Sequence, residues 1–124
     1  MKILAIETSC DDTCVAIVEA TPVRGAKVPR FRILANIVSS QTKIHKKYGG
    51  VVPSLAKRAH LKNLPIVLDK ALKEAKISSL KRQIDLIAVT HGPGLEPALW
   101  AGVNFAKDLS RKWQVPLLGV DHMR

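Results

Sequence analysis

Within Ile3–Val18, two apolar, partly β-branched runs flank six consecutive polar or thiol residues, Glu7–Asp12. Runs of this kind pair as strands of a hairpin, and the insert is then a tight turn. Three carboxylates, Glu7, Asp11 and Asp12, crowd that turn and repel one another. Two readings stand. The segment is an ordinary polar hairpin turn, or it holds a metal or a phosphate-bound cation, with Thr8 and Ser9 supplying hydroxyl and backbone N–H groups.

The rest of the chain extends the hairpin into an α/β pattern. A basic link with proline and glycine, Thr21–Arg30, reads as exposed, and Phe31–Ser39 reads as a third strand. Ser40–Val52 reads as a loop ending in Tyr48-Gly49-Gly50. Pro53 suits a first helical position, and apolar residues from Leu55 to Leu72 recur at helical spacing. Pro65 lies inside that pattern and predicts a kink or break near Leu61–Leu64, because it removes one hydrogen bond and crowds the preceding turn. Ile84–Thr90 is nearly continuous in apolar residues, the pattern of a strand buried on both faces of a parallel sheet. A helix follows from about Pro97 to Trp113, then a strand at Val115–Val120. Three strands, helix, strand, helix, strand make an antiparallel meander joined to right-handed crossovers in one mixed sheet.

Length and composition set the class. At 124 residues the chain has one core and too little mass for two lobes. Apolar content of 47% with mean hydropathy near zero indicates a soluble globular protein, and no apolar run reaches the roughly 18 residues of a membrane span. Glu7 follows the first apolar run at once, which does not fit a signal peptide. Cys10 and Cys14 have no second Cys/His pair at zinc-finger spacing and read as reduced thiols in a cytoplasmic protein, packing around the turn.

Charge narrows the partners. The formal net charge is +10, and Gln41–Arg82 holds eleven Lys and Arg against Asp69 and Glu74. Such a concentration attracts polyanions, of which nucleic acid is the common one; a solvated, lysine-rich helix surface is the alternative.

Thr90-His91-Gly92-Pro93-Gly94 sits where a parallel strand ends and a helix begins, the edge at which α/β folds bind ligands. Gly92 and Gly94 there let backbone approach a ligand closely, although Gly-Pro-Gly also makes a good connector. His122 follows the last strand and falls on the same edge as the Glu7 turn, where a histidine can serve as metal ligand or general base, or as neither. His45 and His60 read as surface or capping residues, and His91 as a loop residue.

Several blocks carry a family resemblance. Glu7-Thr-Ser-Cys-Asp-Asp-Thr13, Ser40-Gln41 with His45, Tyr48-Gly-Gly-Val-Val-Pro-Ser-Leu-Ala-Lys-Arg-Ala-His60, Val89-Thr-His-Gly-Pro-Gly-Leu95, Ala106-Lys107 and Pro116-Leu-Leu-Gly-Val-Asp-His122 closely resemble the TsaD/Gcp family of tRNA threonylcarbamoyladenosine transferases. The blocks run in family order over essentially the whole chain but cover only the first part of a two-lobed protein. The resemblance implies that residues 1–124 are an amino-terminal actin-like lobe (acetate kinase/Hsp70/actin class) with an RNase-H-like mixed sheet of strand order 3-2-1-4-5. It implies transfer of threonylcarbamoyl from its adenylate to the adenosine beside the tRNA anticodon. Asp11 and Asp12 are then the catalytic candidates, and Glu7, Thr8, Ser9, Gly92 and Gly94 the candidates for binding the adenylate or another ATP-type nucleotide.

The resemblance also implies one divalent metal, iron or zinc, held by a His-x-x-x-His pair and a distant aspartate. His122 matches the first histidine; the second would fall two positions past Arg124, and Arg124 itself departs from the family's usual Glu-Gly. The metal site is thus incomplete over these residues, and the chain alone is expected to be inactive. Implied partners are tRNA, a TsaB-like subunit and a TsaE-like ATPase, or a second copy through the two helices, and no membrane. The competing reading is a non-catalytic TsaB-like platform of the same fold, which lacks the histidine pair. A metalloprotease is disfavoured because no His-Glu-x-x-His helix is present.

Overall fold

The computed structural model describes residues 1–9, 12–40, 49, 53–77 and 83–123. Its elements are β1 (Lys2–Glu7), β2 (Asp12–Thr21), β3 (Arg30–Ser40), α1 (Pro53–Glu74), β4 (Leu86–Gly92), α2 (Glu96–Trp113) and β5 (Leu117–Asp121). The five strands form one sheet of order β3-β2-β1-β4-β5, as the actin-like, RNase-H-like reading requires. β1 runs antiparallel to β2 and parallel to β4, which is parallel to β5. Each parallel step needs a helical crossover, and α1 and α2 supply the two.

Strand periodicity decides where the core lies. Leu4, Ile6, Val15, Ile17, Ile87 and Val89 are in register on one face and buried. Against them pack Leu64, Leu68, Ala71 and Leu72 of α1 with Ala106 and Leu109 of α2. Leu4, Ile17, Leu64 and Ile87 are fully enclosed, and each such side chain contributes about 1.5–3 kcal/mol through burial.

Both helices lie on that one face, which corrects the expectation for the fourth strand. Leu86 and Ala88, on the opposite face of β4, are only half-buried. Continuous apolar sequence therefore marks a strand with one face covered by the helices of the described residues.

Pro65 does not break its helix. α1 is continuous over 22 residues with Pro65 inside it. The carbonyl that loses its partner belongs to Leu61, which is half exposed, and Pro65 is itself exposed. The missing bond falls on the solvent side, where water replaces it, while Leu64, Val67 and Leu68 hold the buried side to the sheet. α2 ends at Gln114, whose left-handed backbone turns its N–H onto the Ser110 carbonyl, and Pro116 prevents further helix. The Thr21–Arg30 link is exposed as expected. The Tyr48-Gly49-Gly50 reading lies outside the described residues except for Gly49.

Candidate functional site

Parallel pairing of β1, β4 and β5 brings three carboxyl ends to one edge. Glu7 ends β1, Thr90 and Gly92 end β4, and His122 follows Asp121 at the end of β5. The His122 backbone N–H donates to the Gly92 carbonyl at 2.6 Å, which fixes the last turn against the Gly92–Gly94 loop.

Glu7 is the hub of this edge. Its Oε1 accepts the Ser9 backbone N–H at 2.6 Å, and its Oε2 accepts the Thr90 hydroxyl at 2.6 Å. His122 Nδ1 lies 2.8 Å from the same Oε2 and 3.4 Å from the Ser9 hydroxyl. Partial burial works to raise the Glu7 pKa. Hydrogen bonds from the Ser9, Thr90 and His122 side chains and the Ser9 backbone outweigh burial, so the carboxyl titrates below its ordinary value. An ionised carboxylate only accepts, so Nδ1 of His122 carries the proton it shares with Glu7. In the neutral ring this contact leaves the proton on Nδ1 and the lone pair on Nε2, the arrangement that can ligate a metal or take a proton. The His122 side chain remains 45% exposed.

The other sequence candidates divide. Thr8 is fully buried, and its hydroxyl donates to the Ala98 carbonyl at 2.8 Å, so it ties the turn to the start of α2. Gly102 faces Thr8 so closely that any Cβ there would strike the Thr8 hydroxyl. Ser9 is nearly buried, with its carbonyl accepting the Leu95 N–H at 2.9 Å. A Cβ on Gly94 would sit 2.5 Å from that same carbonyl oxygen. The close approach that requires glycine at 94 is therefore between two loops of the protein. Gly92 has nothing within 4 Å of the position a Cβ would take, and its face is open. Asp12 begins β2 beside Ser40, at the same edge. Asp11, Cys10 and His45 lie outside the described residues. Cys14 is a half-buried thiol in β2.

Two participants were not visible in the sequence. Thr90, which orients the Glu7 carboxylate, reads there as the start of the Thr90–Gly94 loop, with no role for its hydroxyl. A hydroxyl at the mouth of a parallel strand, just before a glycine loop, is the signal that could have found it. His60 corrects its expected surface role: it is fully buried, with Nδ1 2.7 Å from the Thr13 hydroxyl. His91 is exposed and ends β4 beside Gly119. Among the described residues, no group of three His, Cys, Asp or Glu side chains could hold a metal ion.

Residues 32–124 match the family model for TsaD, tRNA N6-adenosine threonylcarbamoyltransferase. The chain belongs to the TsaD family. Relatives named tRNA N6-adenosine threonylcarbamoyltransferase include one from Thermosipho melanesiensis, 51% identical over 99% of this chain and 34% of the relative. Another, from Fusobacterium nucleatum, is 48% identical over 100% of this chain and 33% of the relative. The chain thus spans about a third of the length of the curated TsaD relatives it matches. The solved structure of YeaZ from Pseudomonas aeruginosa has the same fold over 97% of this chain and 42% of its own (TM-score 0.65, 21% identity). Thermus thermophilus RuvC shares it over 99% and 63% (TM-score 0.59, 12% identity). These two likenesses are of fold alone, and they agree with the mixed five-stranded sheet of the TsaD chain.

Proposed function

We propose that this chain forms the amino-terminal part of an enzyme that moves a threonylcarbamoyl group from its adenylate to the amino nitrogen of the adenosine beside the tRNA anticodon. In that step the nitrogen bonds to the carbamoyl carbon, the bond from that carbon to the adenylate phosphate oxygen breaks, the amine loses a proton, and AMP leaves. The observation that carries the reading is the 2.8 Å contact between Glu7 and His122 at the carboxyl edge of the sheet, in a chain of this family.

His122 is the proposed ligand of one divalent metal, iron or zinc, through Nε2. Such an ion, when bound, supplies Lewis-acid stabilisation of charge on a carbonyl or phosphate oxygen. The residues here fit as one ligand of the set, and the reading requires further ligands from beyond the described residues. Glu7 and Thr90 hold the His122 ring and its tautomer. Asp12, and with it Asp11, is the carboxylate proposed to take the proton from the attacking amine. The open face at Gly92 is the proposed approach for the adenylate, with Ser9 and Thr8 keeping the adjoining turn rigid.

Lys57, Arg58 and Lys62, exposed on α1, are proposed contacts to the tRNA backbone. The groove of about 370 Å³ between α1 and α2, lined by Pro65, Leu68, Leu72, Phe105, Leu109 and Trp113, suits pairing with a TsaB-like subunit or a second copy. Half-exposed Leu61 and Trp100 extend the apolar surface of the two helices. A TsaE-like ATPase and a cytoplasmic setting complete the proposal.

The test joins these residues to the remaining two-thirds of the Thermosipho relative and measures threonylcarbamoyl-adenosine in tRNA by mass spectrometry. The joined protein is expected to modify tRNA, its His122→Ala variant to lose the activity, and the 124 residues alone to show none. Full activity in His122→Ala, or turnover by the 124 residues alone, refutes the assignment.

A further inference from the structure

The β2–β3 hairpin carries a second basic feature, at the end of the sheet opposite Glu7 and His122. From Thr21 to Arg32 it holds Arg24, Lys27, Arg30 and Arg32 and no acid. All four are exposed. Three of them, Arg24, Arg30 and Arg32, line a groove of about 480 Å³ together with Glu19, Thr21, Pro22 and Val23.

Local structure explains why the guanidinium groups converge. Arg30 and Arg32 are two apart on β3, so both project from the same face, with stems about 6.6 Å apart. They stand opposite Thr21 and Glu19 of β2, and Arg24 closes the groove from the connecting turn. Pro22 and Pro29 restrict the backbone on either side of that turn. None of the three arginine side chains makes an ion pair or a hydrogen bond among the described residues. One carboxylate faces three guanidinium forks, each of which presents a planar donor set suited to phosphate. Unpaired like charges held together on a rigid hairpin repel one another, and a polyanion relieves that repulsion.

We propose that this groove binds the phosphate backbone of an RNA strand, as a contact separate from α1 and from the catalytic edge. It lies about 23 Å along β2 from the residue that pairs with Glu7, so one RNA contacting both must extend along the sheet. The identity of the RNA as tRNA rests on the proposed function; the groove's preference for a phosphodiester backbone does not.

The experiment measures tRNA binding by fluorescence anisotropy across a salt series. It uses the 124-residue chain, a triple Arg24→Gln/Arg30→Gln/Arg32→Gln variant and a charge-matched control, Lys107→Gln/Arg111→Gln/Lys112→Gln, on α2. Circular dichroism confirms that each variant is folded; single Arg30→Gln and Arg32→Gln variants replace the triple if it is not. The groove variant is expected to bind at least tenfold more weakly near 100 mM salt and to lose about 2–3 from the slope of log affinity against log salt. The control is expected to lose less than a third as much. Equal losses in groove and control variants mean that net charge alone binds RNA, and overturn the proposal. So does unchanged binding by the groove variant, or a wild-type chain that holds anionic vesicles and not RNA. Binding that depends on the groove for a generic single-stranded RNA but not for tRNA upholds the groove and refutes the tRNA reading.

Discussion

Replacing Glu7 tests how the carboxyl edge is held. Glu7→Ala leaves the Ser9 N–H and the Thr90 hydroxyl, both on residues only 7% exposed, without their acceptor. An unsatisfied buried N–H costs about 1–2 kcal/mol, and a hydroxyl that can rotate costs about 1. The His122 contact is half exposed and adds little to stability. The sum is about 2–3 kcal/mol. At about 2.1 cal/mol/K per residue over 124 residues, that lowers Tm by about 8–12 °C.

Glu7→Gln is the sharper variant. It keeps one acceptor oxygen but puts an NH₂ group among three donors, and it costs about 1 kcal/mol. His122 is then expected to move its proton from Nδ1 to Nε2, which ¹⁵N NMR of the ring above pH 8 reads directly. Stability should also change with acidity. The folded-state pKa of Glu7 lies below its ordinary 4.5, so its contribution is fully present above that value and is lost as pH falls through the folded-state value. Glu7→Gln should lack that part of the acid limb. A Tm within 2 °C of wild type for Glu7→Ala, or the same His122 tautomer in wild type and Glu7→Gln, refutes the anchoring role.

Gly94→Ala should cost about 2 kcal/mol in urea denaturation, because its Cβ meets the Ser9 carbonyl oxygen, whereas Gly92→Ala, in open space, should stay within about 0.5 kcal/mol. Thr13→Val removes the hydroxyl beside buried His60 and should lower stability by about 1–3 kcal/mol, with near-normal stability refuting that pairing. Pro65→Ala should raise Tm, since it restores the bond to the Leu61 carbonyl at no cost to the buried face; an unchanged or lower Tm counts against the solvent-side account. Sedimentation at micromolar concentration should show self-association, or association with a TsaB-like subunit, through α1 and α2. A Trp100→Lys variant should reduce it by adding charge where the half-exposed indole now lies.

The strands and the edge that carries the candidate site were legible because each depends on short-range pattern, whereas the strand order came from the family resemblance. The apolar run Ile3–Ile6, the polar insert after it and the glycine loop after Thr90 are local facts. Pairing was not local. Nothing near Thr90 says that its hydroxyl reaches Glu7, 83 positions earlier, and nothing near His60 says that Thr13 covers it. Gly94 looked like a place for a ligand because glycine permits close approach, but which group approaches is decided by the Ser9 turn. Pro65 was misjudged for a related reason: its cost depends on whether the orphaned carbonyl faces water, which the residue's own neighbourhood in sequence does not state.

The separation of the site's parts in sequence has a consequence for how the protein is made. Glu7 and His122 are 115 positions apart, and their contact requires β4 to join β1 and β5 to join β4. Parallel pairings of this range pay their loop-closure entropy before any contact repays it, so they form late. During synthesis the β1–β3 meander can pair soon after it emerges, leaving Glu7 at the open end of a three-stranded sheet. The carboxylate acquires its threonine only when the fourth strand docks, and its histidine only with the fifth. A chain stalled or cut between these events carries the hairpin sheet but no imidazole held against Glu7. Completion of the sheet therefore acts as the switch that turns three scattered residues into one chemical group.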